Sequence, residues 1–371
     1  MFINDEKPKI LIVGLLTPLN KGVSPESYFE EFKQLVKTNF VFPTFEYFTK
    51  LREIDSSTYL TKGKLEEIKK ICLEQHIEEV IFSEKLSPHQ EMRLEEAFNC
   101  TVYDRTHLIL EIFEKQAQTE EAKLQVEIAF LEHKKTRVAG KGVGMAQQSG
   151  RFGVVSGAGE TQKELDLRHI DHLLVRLKKE IKNLQAHKMR QRKDRLKNNV
   201  FSFALVGYTN AGKSTLFNTL TKEAVFVENK LFATLTTTTR ELFLDEALKN
   251  KVVLSDTVGF IQNLPHELIA SFHSTLEDLK YSDVLIHVID ISHKSWQQQK
   301  MTVEETITLL GFNNKRIIEV YNKIDLIDDS TLESYKQLFF DKEAFFVQAN
   351  KKTSLNELVS FLTGIAVKQI K

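Results

Sequence analysis

Gly207-Tyr208-Thr209-Asn210-Ala211-Gly212-Lys213-Ser214 is the stretch on which the fold turns. The apolar residues 203–206 precede it, and Thr215, Leu216 and Phe217 open a helical pattern behind it. Strand, glycine loop and helix, in that order, make a phosphate-binding loop. Gly207 and Gly212 free the backbone from a Cβ, so that successive N–H groups can turn toward one anion. The helix N-terminus adds partial positive charge. In such a loop Lys213 reaches the β- and γ-phosphates and Ser214 holds Mg²⁺. The plain alternative is a glycine turn with an incidental Lys-Ser behind it, and the flanking strand and helix argue against that. The loop by itself leaves the base and the purpose open.

Downstream stretches supply the base. Residues 252–255 predict a strand that ends in Asp256-Thr257-Val258-Gly259. A carboxylate there holds Mg²⁺ through water, and Gly259 gives its N–H room to approach a γ-phosphate. Residues 284–289 and 317–321 predict two more buried strands, the second leading into Asn322-Lys323-Ile324-Asp325. Asp325 accepts from the guanine N1–H and exocyclic amine. Adenine offers neither donor, and a site built this way rejects the analogue by roughly 10⁴–10⁵. Asn322 is expected to tie this segment to the phosphate loop, and the Lys323 stem to cover one face of the base. Residues 343–347 predict a last strand, after which Gln348, Ala349 and Asn350 offer backbone N–H groups to the guanine oxygen. A closing helix follows over 354–369. Between the loop and Asp256 lies Phe232-Ala233-Thr234-Leu235-Thr236, part of a threonine-rich run at 232–240. Its position fits a segment that senses the γ-phosphate, although threonine runs are also β-prone.

Upstream, short strands and helices alternate. Strands are expected at 10–15, from 41, at 79–82 and at 101–103, with helices at 27–36, 65–75 and 89–99. This alternation argues for a small α/β domain over residues 1–106. Val13-Gly14 hints at a second nucleotide site, but no full glycine fingerprint follows.

A long helix is predicted over 107–135 and another over 161–196. Leu124, Ile128 and Leu131 on the first, and Ile170, Leu174, Leu177, Ile181 and Leu184 on the second, form narrow seams at alternating spacings of four and three. The two are expected to pack as a long antiparallel helical hairpin over 107–198. Thr161 and Glu164 suggest a capping box at the start of the second helix. Between the helices, residues 140–159 hold seven of the fifteen glycines. From 160 to 198 there are twelve Lys or Arg against six Asp or Glu. A glycine tip with basic flanks fits an RNA backbone; a solvated basic helix end is the plain alternative.

The whole chain has 371 residues, no formal net charge and 42% hydrophobic residues, as expected for several globular domains. Cys72 and Cys100 form no metal pattern and read as reduced thiols. No signal-peptide apolar region opens the chain. No apolar run approaches ~18 residues, so a membrane-spanning helix is not expected.

Taken together, these motifs resemble those of the HflX family of ribosome-associated GTPases. The likeness covers nearly the whole chain. It includes residues 59–64, 116–127, 207–215, 232–240, 256–260 and 322–325, and above all Gly157-Ala158-Gly159-Glu160-Thr161-Gln162. The resemblance implies an α/β protein: a P-loop GTPase domain at 199–371, preceded by the small α/β subdomain and the hairpin. It implies a GTPase, slow unless the ribosome stimulates it, that binds GTP and GDP. The large ribosomal subunit and its rRNA are the implied partners, and splitting of stalled or stress-arrested ribosomes is the implied role. Thr234 would join Ser214 on Mg²⁺, and Asn210 matches the residue that helps hold K⁺ in the broader class. A monomeric cytoplasmic protein with peripheral membrane association is expected. The chain departs from the family at Thr236-Thr237, at Ala158 and at Gln348-Ala349-Asn350. It ends soon after the last predicted helix, so the separate C-terminal domain of some relatives is expected to be absent.

Phe260 stands where Ras-like enzymes carry the glutamine that orients water. Intrinsic turnover is therefore expected within a few orders of magnitude of ~10⁻⁴ s⁻¹. No residue is assigned as general base. Competing readings are a ribosome-assembly GTPase without splitting activity and an RNA-remodelling ATPase acting through residues 1–106. A nucleotide kinase would leave the glycine tip unexplained.

Overall fold

The computed structural model describes residues 8–20, 24–39, 43–140, 162–197, 200–221, 231–232, 237–245, 248, 251–262, 279–340 and 343–370. Two compact units divide the chain. One comprises Met1–Lys115 and Leu124–Glu180, the other Gln116–Lys123 and Ile181–Lys371.

The first unit contains a four-stranded, all-parallel sheet. Its strands are β1 (Ile10–Leu16), β2 (Phe45–Lys50), β3 (Glu79–Phe82) and β4 (Thr101–Tyr103), ordered β2-β1-β3-β4. Helices α1 (Pro25–Thr38), α2 (Lys62–Gln75) and α3 (Pro88–Phe98) connect them. The helix starts follow local chemistry. At α3, the Ser87 side chain accepts from the Gln90 N–H, the Gln90 side chain accepts from the Ser87 N–H, and Pro88 occupies the first turn. Strand β1 is buried along its whole length, as a central parallel strand must be. Residues 41–42, where a strand was expected to begin, lie outside the described residues; β2 forms three residues later.

Gly14 is not a turn glycine. It sits within β1, where the rings of Phe29 and Phe48 cover it, and a Cβ would meet both. The carboxyl ends of β1 and β3, where a parallel sheet most often offers a crevice, are taken up by the chain's own side chains. Buried Glu84 accepts hydrogen bonds from Asn20 Nδ2 at 3.1 Å and from the Tyr28 hydroxyl. Burial raises the Glu84 carboxyl above its ordinary pKa.

The helix expected over 107–135 is two helices. α4 (Arg105–Gln116) stops, and α5 (Glu120–Gly140) starts afresh behind Thr119. The Thr119 hydroxyl accepts from the Ala122 N–H at 3.2 Å, and Glu120 and Glu121 occupy the first turn. Thr-Glu-Glu is a helix-start signal hidden inside a run without glycine or proline. Of the expected seam on α5, Ile128 is buried, whereas Leu124 and Leu131 are only partly so; Ala122, Gln125, Val126 and Ala129 make up the rest of the buried stripe. Small residues share the same spacing and allow closer approach, so periodicity alone could not choose between the faces.

α6 (Gln162–Lys197) buries Ile170, Leu174 and Leu177. Contacts between α5 and α6 include Lys163 Nζ to the Ala139 carbonyl at 2.8 Å, Lys135 to Asp171, and Lys178 to Glu132 at 2.6 Å. Partner numbers fall on one helix as they rise on the other. The glycine-rich residues 141–161, with Thr161, lie outside the described residues.

The second unit is built on a six-stranded sheet. Its strands are β5 (Phe201–Gly207), β6 (Thr238–Glu241), β7 (Val252–Asp256), β8 (Val284–Asp290), β9 (Arg316–Asn322) and β10 (Ala344–Val347), ordered β10-β9-β8-β5-β7-β6. All pairings are parallel except the edge pair β6–β7. Helices α7 (Lys213–Thr221), α8 (Trp296–Leu309), α9 (Asp329–Leu338) and α10 (Asn356–Ile370) accompany it. Phe203, Leu205, Leu216, Phe217, Leu254, Ile286, Val320, Leu358 and Leu362 belong to one buried cluster. Parallel strands aligned in this register bring the residues at their carboxyl ends to one edge. Gly207 lies beside Val288, and Asp290 and Val347 lie on either side of Asn322.

Candidate nucleotide site

The phosphate loop leaves β5 at Gly207 and enters α7 at Lys213. Gly207 has φ +155°, and a Cβ there would run into the Val288 carbonyl of the next strand. Gly212 has φ +94°, and its Cβ would meet the Asn322 side-chain amide. Both glycines therefore answer to close approach as well as to conformation. Asn210 is left-handed at φ 60° and exposed. Thr209 is buried, and its hydroxyl has no partner among the described residues.

Lys213 Nζ donates to the carbonyls of Gly207 and Tyr208 at 3.1 and 2.7 Å. It is buried, and desolvation pushes its pKa down to about 8 against the pull of Asp256. A polyanion at the loop would raise it again. The Ser214 hydroxyl donates to Asp256 Oδ2 at 2.8 Å. Asp256 is buried at the end of β7. A hydroxyl and a carboxylate brought together beside a phosphate loop are hard oxygen donors, and they fit Mg²⁺, which takes few protein ligands and keeps water and phosphate oxygens.

The Asp256–Gly259 segment packs against the loop. The Thr257 hydroxyl donates to the Leu205 carbonyl at 2.6 Å, which commits it to the sheet. Val258 is buried, and a Cβ at Gly259 would lie 2.9 Å from both Lys213 Nζ and Thr209 Cα. Phe260 is buried too. Its N–H donates to the Gly207 carbonyl at 3.1 Å, and its carbonyl accepts from the Thr209 N–H at 2.8 Å. The Tyr208 hydroxyl accepts from the Gln262 N–H at 2.9 Å.

The base motif is fastened to the same loop. Asn322 Nδ2 donates to the Ala211 carbonyl at 2.9 Å, and Asn322 Oδ1 accepts from the Ala349 N–H at 2.9 Å. One side chain thus spans three of the motifs. Lys323 adopts φ 64° and its ammonium pairs with Asp290 Oδ2 at 2.7 Å. Ile324 and Asp325 begin a short 3₁₀ turn in which Asp325 is exposed. The Gln348 N–H donates to the Ser354 hydroxyl at 2.9 Å, Ala349 is buried and Asn350 exposed. Thr215 is partly buried in the first turn of α7. Phe232 is buried, while Ala233, Thr234, Leu235 and Thr236 lie outside the described residues.

Three family models match the chain: "GTP-binding GTPase N-terminal" over residues 26–114, "GTP-binding GTPase Middle Region" over 116–195 and "50S ribosome-binding GTPase" over 202–323. GTPase HflX of Caldanaerobacter subterraneus subsp. tengcongensis is 41% identical over 84% of this chain and 74% of its own length. The chain belongs to the HflX family of GTPases. GTPase HflX of Alkalihalophilus pseudofirmus is 44% identical over 74% of this chain, a match that spans 64% of that relative. Among solved structures, SsGBP in complex with GDP superposes with a TM-score of 0.51 at 25% identity, covering 98% of this chain and 100% of that one.

Within this HflX member, two side chains around the site, Asp290 and Ser354, escaped sequence reasoning. Asp290 was readable only as the polar end of an apolar strand, and its pairing with Lys323 requires the β8–β9 register. Ser354 accepts from the Gln348 N–H, a contact that no motif marks. His287, at the centre of β8, is buried so completely that its imidazole is pushed down to about 3 and stays neutral.

Proposed function

We propose that this chain is a GTP-operated switch acting on the large ribosomal subunit. The observation that carries the guanine reading is the pair of hydrogen bonds made by Asn322 to Ala211 and Ala349. It fixes the spacing between the phosphate loop and the base-reading segment, so that one ligand must satisfy both ends. Asp325 then selects guanine. Lys323, held by Asp290, lays its stem along the base. The loop at 207–215 and the segments at 232–236, 256–259, 322–325 and 348–350 form the GTP-binding set.

Mg²⁺ would be held by Ser214 and, through water, by Asp256, with Thr234 as a further ligand; it supplies charge neutralisation for the phosphates. Asn210 would contribute to a K⁺ site. In hydrolysis water adds to the γ-phosphorus, the bond to the β–γ bridging oxygen breaks and GDP leaves with phosphate. Phe260 offers no group to orient that water, which supports slow intrinsic turnover and stimulation by the ribosome.

We divide the chain into an α/β subdomain at 1–106, an antiparallel helical hairpin at 107–198 and the GTPase domain at 199–371. The reversed order of the α5–α6 contacts supports the hairpin. Its glycine-rich tip at 140–159 would reach rRNA in the GTP state and displace a contact between subunits, splitting stalled ribosomes in the cytoplasm. Sedimentation of 70S ribosomes with the protein tests this. A GTP analogue, but not GDP, should release free subunits. Intact 70S particles carrying bound protein would favour an assembly or RNA-remodelling role instead.

A further inference from the structure

We propose that Cys72 and Cys100 form a reversible dithiol–disulfide pair, a modification site within the first unit that takes a hydroperoxide as its oxidant. They are the chain's two cysteines, and both are free thiols. Cys72 lies in the last turn of α2, and Cys100 joins the end of α3 to β4. The turn after α2 is bonded to both places. The Ile77 N–H donates to the Cys72 carbonyl at 3.0 Å, and the Glu78 carbonyl accepts from the Thr101 N–H at 3.0 Å. Adjacent residues 77 and 78 thus hold the two cysteine positions close together, and the parallel pairing of Glu79 with Thr101 continues that register. Both side chains pack in one apolar cluster, with Ile68, Ile77, Phe98 and Val102. Within it the Cys72 thiol donates a hydrogen bond to the Cys100 sulfur.

The pair is asymmetric, and the asymmetry assigns the roles. Cys72 is 3% exposed, whereas Cys100 is only partly buried, so an oxidant meets Cys100 first. The shared hydrogen bond pulls the Cys100 thiol below its ordinary pKa against burial, and together with burial it pushes Cys72 up. The thiolate is the nucleophile, so the accessible sulfur is also the reactive one. A core cysteine packed as a small hydrophobe is the plain alternative. It accounts for Cys72 by itself, but not for a second thiol bonded to it at the protein surface.

The chemistry runs in two steps. The Cys100 thiolate attacks one oxygen of hydrogen peroxide; an S–O bond forms, the O–O bond breaks, and the other oxygen leaves as water with the proton that Cys100 gave up. The Cys72 sulfur then attacks the sulfenic acid; the S–S bond forms, the S–O bond breaks, and the hydroxyl leaves as water with the Cys72 proton. Two thiols lose two electrons in all, and one peroxide becomes two waters.

The test uses the full chain, reduced and then freed of reductant, with hydrogen peroxide as the probe. Free thiols are counted and the peptides mapped by mass spectrometry. Both thiols should disappear together, the peptides bearing Cys72 and Cys100 should be recovered joined within one chain, and dithiothreitol should restore both. Recovery of Cys100 as a sulfinic acid, or in a bridge between two chains, with Cys72 still a free thiol, would overturn the proposal. So would resistance of both thiols. In Cys72→Ser, Cys100 should stop at a sulfenic acid that a dione probe captures. In Cys100→Ser, loss of the Cys72 thiol should slow about tenfold or more, because the buried sulfur is left without its exposed partner; an unchanged rate refutes the order of attack. Should either variant fail to fold, the mapping on the unaltered protein decides. Neither cysteine belongs to the nucleotide site, so the outcome is independent of the GTP-switch reading.

Discussion

At Lys213, burial and function pull the same ammonium in opposite directions. Its pKa is lowered from the ordinary 10.5 to about 8 by desolvation. Between those two values the unfolded chain binds the extra proton, so this group contributes stability above 10.5 that is lost as the pH falls through about 8. A thermal-melt series without nucleotide should therefore show Lys213→Met losing this upward trend between pH 8 and 10.5. Anionic phosphates reverse the balance, and calorimetry in buffers of different ionisation heat should detect proton uptake on GTP binding at pH 9 but little at pH 7. Asp325 poses a different problem. It is exposed here, so its removal leaves no unpaired buried group in the nucleotide-free protein. Asp325→Ala should weaken GTP about 100-fold or more, by removing two charge-assisted hydrogen bonds, with little change in melting temperature.

At the scale of elements, the junction between α4 and α5 shows how a capping residue overrides periodicity. Residues 107–135 carry no glycine or proline, and on pattern they read as one helix. Thr119 interrupts them because its hydroxyl satisfies the Ala122 N–H. Thr119→Ala should cost about 1 kcal/mol, read as a lower denaturant midpoint at constant slope. Unlike the half-buried β2, strands such as β1, β5 and β8 were legible because buried parallel strands are continuous apolar runs. Edge strand β6 was not: Thr238, Thr239, Arg240 and Glu241 are β-prone at best, and their place is set by antiparallel pairing with β7. The seam of α6 was legible in Ile170, Leu174 and Leu177. That of α5 was legible only at Ile128, since Ala122, Val126 and Ala129 keep the same spacing as its leucines.

For the whole molecule, nucleotide chemistry and the proposed ribosomal action fall on different stretches of chain. Deleting 141–161 should leave GTP affinity within about twofold, since no residue of the phosphate or base motifs lies there, and abolish subunit release in the sedimentation assay. Equal loss of both would mean that the glycine-rich stretch supports the nucleotide site itself.

The sequence by itself determined the phosphate loop, the Asp256 and Gly259 positions and the guanine motif. Each is a short local pattern whose backbone consequence, a turn, a strand end or a helix start, is encoded within a few residues. Only the tertiary structure decided what those motifs hold on to. Asn322 meets Ala211 across 111 positions, Lys323 meets Asp290 across 33, and Gln116 meets Leu231 across 115. Single polar contacts of that range leave no periodicity in the chain. For Asn322 and Lys323 they exist because the register of β8 and β9 and the close approach allowed by Gly212 bring the two groups within hydrogen-bonding distance.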